Sequence, residues 1–204
     1  RRVLFRSIFD LGFQVVTRRS RGQDLPGETV QRSIDLLAQE IEATLAQSGL
    51  DRRLCAGVGV TLPGAVDGGR GVVLQLFNAP KWVDVPLKAA LEQALGLPVT
   101  VGKDDNGAVL HYKWTRLRNP LANVVGISVA DGIGAGILLG GDIYQSRHHL
   151  SGEIGHISVN PAGPLCACGN LGCLELYASN RGLLQRARDR LNQGEVSALR
   201  DCAR

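Results

Sequence analysis

No apolar run in the 204 residues reaches the roughly 18 that a membrane-spanning helix needs. No signal-peptide pattern is present either. A membrane-embedded or exported protein is therefore not expected. Aromatic residues make up only 4% of the chain, and repeats, low-complexity tracts and long linkers are missing. Charge of one sign is also in short supply. The formal net charge is +4, but Arg1, Arg2 and Arg6 all lie in the opening RRVLFRS. That heptad has neither helix nor strand periodicity and resembles translated sequencing-adapter read-through. Residues 1–7 are accordingly set aside as an artefact or disordered segment, which brings the +4 down to +1. A body so near neutrality offers no electrostatic case for gripping nucleic acid. The cysteine count of 5 is odd, and three of the five crowd between Cys166 and Cys173. This argues against a disulfide framework and for a metal site in a reducing cytoplasm.

What is present suits alternating α and β units. Apolar residues reach 44%, enough for a sizeable core, and 26 glycines accompany short apolar runs. Tight strand-to-helix turns need such glycines. Residues 8–19 read as a strand or hairpin turning at Gly12. Val30, Ile34, Leu37, Ile41 and Leu45 recur at helical steps between Gly27 and Ser48, and Gly49 stands where a left-handed cap is wanted. A buried strand is expected over Leu54–Leu62, stopped by Pro63-Gly64. A second helix over Pro86–Leu95 leads to a strand over Pro98–Gly102, then a helix over Asp105–Trp114. Two apolar runs, Asn123–Val129 and Ala135–Leu139, flank a glycine-rich turn, and Leu174–Leu191 reads as the last helix. Strands alternating with helices imply a parallel or mixed sheet, with ligands at strand ends.

The sharpest local signal is His156 followed by Cys166, Cys168 and Cys173. Zinc takes four soft or borderline ligands in a tetrahedron, and one imidazole with three thiolates supplies them. The cysteines lie in GPLCACGNLGCLE, where Gly163, Gly169 and Gly172 let the backbone wrap an ion. Core cysteines packed as small apolar residues do not usually cluster among glycines, whereas Cys55 and Cys202 stand alone and are read that way. A closed four-ligand site leaves no open position for water, so the expected role is structural. The loop it would hold, 156–175, is flanked by Glu153 and Glu175.

The segment SGEIGHISVNPAGPLCACGNLGCLELYAS, Ser151 to Ser179, closely resembles the signature of the ROK family of bacterial sugar kinases and sugar-responsive repressors. Its ligand spacing matches that family's zinc site. Weaker matches are VGVTLPGAVD (58–67), FNAPKW (77–82), KDDNGA (103–108) and VVGISVADGIGAGILLGGDIY (124–144). Together the resemblance spans about residues 8–190. It implies an α/β, actin-like (ribonuclease-H-like) two-lobed fold with a sugar in its cleft and a zinc-stapled loop. The lobes expected are 8–115 and 116–204, each incomplete. Carried over by position, Asn78, Asp104, Glu153, His156 and Glu175 would contact the sugar. Carboxylates and amides suit hydroxyls that donate and accept at once, and His156 could bind zinc through one ring nitrogen and a hydroxyl through the other.

Kinase and repressor readings diverge at the phosphate cradle. A kinase would use Asp104 as general base, with ATP and magnesium, and Gly132 and Gly134 against the phosphates. Family kinases carry Gly-Thr ahead of that glycine run. This chain has Ala130-Asp131, and a carboxylate there repels phosphate, as the resemblance implies for xylose-type repressors. Lys103 replaces the Asn expected before Asp104. The first phosphate loop, Asp-x-Gly-Gly-Thr, has only a faint echo in Asp10-Leu11-Gly12 and is expected upstream of a chain that looks truncated at both ends. Gly132–Gly136 lacks the strand-turn-helix setting of a dinucleotide site. The favoured reading is the effector-binding part of a sugar-responsive transcriptional regulator, with a sugar kinase fragment as alternative and a purely structural zinc module as third. That third reading gives Glu153 and Glu175 no purpose. Implied partners are a small sugar or amino sugar, operator DNA through an N-terminal helix-turn-helix domain absent here, and a second copy in a homodimer or higher oligomer.

Overall fold

The computed structural model describes residues 2–23, 28–117 and 121–198. The chain divides into two compact units, Arg1–Asp104 and Asp105–Arg204. The sequence reading set its lobes at 8–115 and 116–204.

The first unit opens with an antiparallel hairpin, β1 (Arg2–Phe9) and β2 (Val15–Gln23). Its turn is held by Asp10, whose carboxylate accepts from the backbone N–H of Gly12 at 2.8 Å and of Gln14 at 2.9 Å. The segment set aside as artefact or disordered therefore contributes a strand. Arg6 is buried and reaches Glu40 of α1 at 3.0 Å, with both side chains under 10% exposed. Periodicity missed this because one face of a short edge hairpin carries charge, and a buried ion pair reads as two polar residues.

Helix α1 (Val30–Ser48) begins where the Thr29 hydroxyl accepts from the N–H of Arg32 and ends at Gly49, φ 69°. Only a residue without a Cβ takes that left-handed turn cheaply. Its apolar stripe, centred on Ile34 and Ala38, joins a core with Leu62, Val73, Trp82, Leu87, Leu91 and Val99. Strand β3 (Val58–Leu62) pairs in parallel with β7 (Val99–Lys103). Between them lie a three-stranded antiparallel meander, β4 (Ala65–Asp67), β5 (Val72–Gln75) and β6 (Val83–Val85), and helix α2 (Leu87–Leu95). The meander has no clear sequence signal, since its strands are three or four residues long and period-two alternation needs more. Strand β3 also starts later than expected. Asp51 caps a single 3-10 turn over Arg52–Leu54, leaving Leu54 exposed, and pairing begins where the N–H of Val58 meets the Pro98 carbonyl.

The second unit takes α3 (Asp104–Arg116) from Asp105 onward, then the antiparallel strands β8 (Val124–Val129), β9 (Ile133–Leu139) and β10 (Asp142–Ile143). Glycines let α3 lie close to the hairpin. A Cβ on Gly126 would sit 2.5 Å from Val109, and one on Gly136 2.3 Å from the Asp105 carbonyl. Val125, Ile127 and Val129 of β8 are exposed rather than buried. The expected last helix is two, α4 (Glu175–Ala178) and α5 (Asn180–Asn192). Ser179 interrupts it with extended backbone and a hydroxyl that accepts from the N–H of Gly182, a serine favouring the cap over the helix interior.

Removing the guanidinium by Arg6→Ala leaves Glu40 buried without its charge partner. Chemical denaturation should show a loss of about 3–5 kcal/mol. A change below about 0.5 kcal/mol, typical of free surface sites, would put the hairpin outside the folded body.

Candidate functional site

Ligand-type side chains gather in the second unit. After β10 the chain turns through a 3-10 turn, Ile154–His156, then runs as a loop stitched by two isolated bridges, Ser158 to Cys173 and Leu165 to Leu171. Gly172 makes the return possible. Its φ is 61°, and a Cβ there would fall 1.7 Å from the Asn160 carbonyl. The N–H groups of Val159 and Asn160 both donate to the Gly172 carbonyl. Within this stitching the ligand atoms of His156, Cys166, Cys168 and Cys173 lie within 4.8 Å of one another. Cys166 Sγ stands 3.5 Å from His156 Nδ1, and Cys168 Sγ 3.7 Å from Cys173 Sγ. The four predicted ligands thus converge as a group that could hold a metal ion. Cys55 lies apart on the first unit, its Sγ 3.6 Å from the Gly57 carbonyl, and Cys202 is outside the described residues.

Burial makes protonation matter. Cys173 is fully buried. Desolvation, with the neighbouring Cys168 and Cys166 adding to it, pushes its thiol up to about 12. Burial also raises Cys166. Both thiols stay protonated near neutrality until a cation compensates the thiolates.

The other ring nitrogen of His156, Nε2, faces Glu153 at 3.6 Å, one helical turn earlier. A carboxylate placed there is a close charge neighbour of the ring on the side away from the cysteines. Glu175, two residues past Cys173, opens α4, and its Oε2 accepts from the N–H of Ile133 at 3.1 Å. The turn between β8 and β9 thereby comes against the loop. Asp131 is exposed on that turn, Gly132 is half-buried and Gly134 is buried. Gly134 also has a packing role that spacing did not reveal, since a Cβ there would sit 2.1 Å from Asp105 Oδ2.

Asp105 was not anticipated. It is buried and accepts from the Ser128 hydroxyl. The signal was available in register: Asp105, Val109 and Tyr112 repeat at helical steps, and all three line a groove of about 380 Å³ between α3 and β8. None of the residues expected to touch a sugar lines it. Asn78 and Asp104 belong to the first unit. Asn78 is half-buried in the loop after β5, Asp104 is exposed at the first position of α3, and Lys103 before it is buried.

With metal stripped by a chelator, Cys173 should alkylate more slowly than Cys55 at pH 8, and its rate should climb with pH toward about 12 as thiolate forms. Peptide mass mapping of iodoacetamide adducts measures both. Equal rates at pH 8 would contradict the buried, protonated thiol.

The ROK family pattern matches residues 6–204. The xylose repressor of Caldicellulosiruptor bescii is 32% identical over 82% of this chain. The glucokinase of Thermotoga maritima is 37% identical over 60%. Among solved structures, a ROK family transcriptional regulator described as a homologue of the E. coli Mlc protein matches 97% of the chain, with TM-score 0.77 and 34% identity. A ROK family glucokinase from Streptomyces griseus, in complex with glucose and AMPPNP, matches 92% with TM-score 0.79 and 32% identity. The chain spans 42% of that repressor and 38% of the Thermotoga glucokinase, and 49% and 57% of the two solved chains. Its α/β architecture with mixed sheets is thus the actin-like fold shared by these kinases and repressors, and the chain belongs to the ROK family.

Proposed function

We propose that the chain is the effector-binding part of a sugar-responsive transcriptional regulator of carbohydrate metabolism. In the whole protein, operator DNA would be bound by an N-terminal domain beyond this sequence, in a cytoplasmic homodimer or higher oligomer. The effector is a small sugar or amino sugar, met by Asn78, Asp104, Glu153, His156 and Glu175. Zinc bound by His156, Cys166, Cys168 and Cys173 would hold the loop between two of those residues.

The observation that carries the regulator reading is Asp131, exposed at the tip of the β8–β9 turn. Phosphoryl transfer needs donors and cations where charge accumulates. Here a carboxylate stands on the turn itself, and the N–H of Ile133 is already given to Glu175. The xylose repressor likeness over 82% of the chain supports the same reading. The alternative, a fragment of an ATP-dependent, glucokinase-like sugar kinase, is favoured by the glucokinase likenesses. It would use Asp104 as base, and Gly132 and Gly134 against the phosphates of ATP and its magnesium.

The spacing of the cluster supports zinc. Bonds of about 2.3 Å to sulfur and 2.0–2.1 Å to nitrogen in a tetrahedron put sulfurs about 3.8 Å apart and sulfur and nitrogen about 3.5 Å apart. Two of the six edges, at 3.7 and 3.5 Å, match these lengths, and all six lie within 4.8 Å. When bound, the ion supplies a charge that keeps the thiolates deprotonated and a rigid anchor for the loop. Glu153 orients the imidazole, and its carboxylate is also suited to accept from sugar hydroxyls.

Calorimetry on the full-length protein should show sugar binding without turnover in an ADP-release assay run with hexoses, pentoses and amino sugars. Glu153→Gln should weaken binding by about 1–3 kcal/mol, the scale of a charge-assisted hydrogen bond. Turnover of about 1 per second or more, the range of kinases, would overturn the regulator reading. Unchanged affinity in Glu153→Gln would remove Glu153 from the pocket.

A further inference from the structure

The backbone at Ile133 is approached from two sides, at its N–H and at its carbonyl, by residues that adjoin the His/Cys cluster in sequence. On one side its N–H donates to Glu175 Oε2 at 3.1 Å. Glu175 follows Cys173 by two residues, and the backbone there has little freedom. The N–H of Leu174 donates to the Ile157 carbonyl, that of Leu176 to the Cys173 carbonyl, and Ser158 bridges Cys173. Gly132 leaves room for the carboxylate, since a Cβ there would be 2.6 Å from Oε2. On the other side the Ile133 carbonyl lies against Gly155, the residue before His156, where a Cβ would be 2.2 Å away. Two residues along the strand, the N–H of Ala135 donates to the Gly152 carbonyl at 2.8 Å.

These two approaches differ in kind. The Gly152–Gly155 side is backbone against backbone and follows from the path of the chain. The Glu175 side is one charged side chain reaching a single amide. A charge-assisted bond of this type is worth more than an ordinary one. The turn it secures, Ala130–Ile133, carries Asp131. A second tie, from the N–H of Asn180 to the Ala130 carbonyl at 2.8 Å, comes from the same α4–α5 segment.

We propose that Glu175 is a positioning residue that couples metal occupancy of the His156–Cys166–Cys168–Cys173 cluster to the conformation of the Ala130–Ile133 turn. The coupling rests on the reading of that cluster as a metal site, and it extends that site's role from holding its own loop to setting a second segment. A polyhydroxyl effector that draws on Glu175 acts on the same latch, and so on the placement of Asp131.

Amide hydrogen exchange on the 204-residue chain tests this in the parent, Glu175→Gln and Glu175→Ala, each loaded with one equivalent of zinc and each treated with a chelator. In zinc-loaded Glu175→Ala the Ile133 amide should exchange about ten-fold faster than in the parent, or more, with Glu175→Gln in between. Chelation should accelerate the same amide in the parent and add little in Glu175→Ala, the non-additivity expected of a shared interaction. The Val101 amide on β7, in the other unit, should stay unchanged and so reports that the variants are folded. Equal Ile133 exchange in parent and Glu175→Ala overturns the latch. Equal acceleration by chelator in both shows a general loosening not routed through Glu175, and overturns the coupling. If zinc does not bind at all, the metal reading falls and takes the coupling with it, while the comparison of parent with Glu175→Ala still decides whether the latch exists.

Discussion

Three thiols and an imidazole packed within 4.8 Å of one another, two of the thiols buried, form the arrangement on which the second unit depends. The loop from His156 to Glu175 has almost no helix or strand of its own. It is held by two single bridges and by Gly169 and Gly172 in left-handed backbone. Such a segment buries little apolar surface with which to offset its ordering entropy. A metal ion bound there would supply what the packing does not, because the free energy of binding to a site that exists only in the folded loop becomes folding free energy.

From that anchor the geometry spreads outward through short, specific contacts. Glu153 lies against the far nitrogen of His156. Glu175 reaches the β8–β9 turn, and Ser179 breaks the helix so that Asn180 can reach it too. On the opposite side of β9, the glycines at 134 and 136 admit α3, with Asp105 tucked against Gly134 and Ser128. The glycine run reads as a phosphate cradle in a kinase and as a packing surface here. Both uses need the missing Cβ, so glycine alone does not distinguish them, and the regulator reading proposed above rests on the carboxylate of Asp131 instead.

Legibility in the sequence followed the length and chemistry of each signal. Helix α1 was legible because five apolar residues repeat over 19 positions between a threonine cap and Gly49. The His156, Cys166, Cys168 and Cys173 cluster was legible because sulfur and imidazole seldom gather without cause. The β4–β6 meander was not, since strands this short leave no period to read. The β1 strand was hidden by its arginines, although Arg6 proves to be the buried partner of Glu40. The α4–α5 break turned on one serine in an otherwise helical stretch. Asp105 was not legible because motif alignment weighs position, whereas burial follows helix register, and the buried positions of α3 are Asp105 and Val109.

The account stands on the cluster being a metal site, and cobalt substitution tests that most directly. Cobalt(II) added to the chelator-stripped chain should bind one equivalent. It should give the intense visible bands of a tetrahedral ion and the near-ultraviolet charge transfer of thiolate ligands, both displaced by one equivalent of zinc. Cys173→Ser should lower the affinity and weaken the thiolate band. A fully folded chain that takes up neither ion, or one whose cobalt spectrum is octahedral and unaffected by Cys173→Ser, would contradict it.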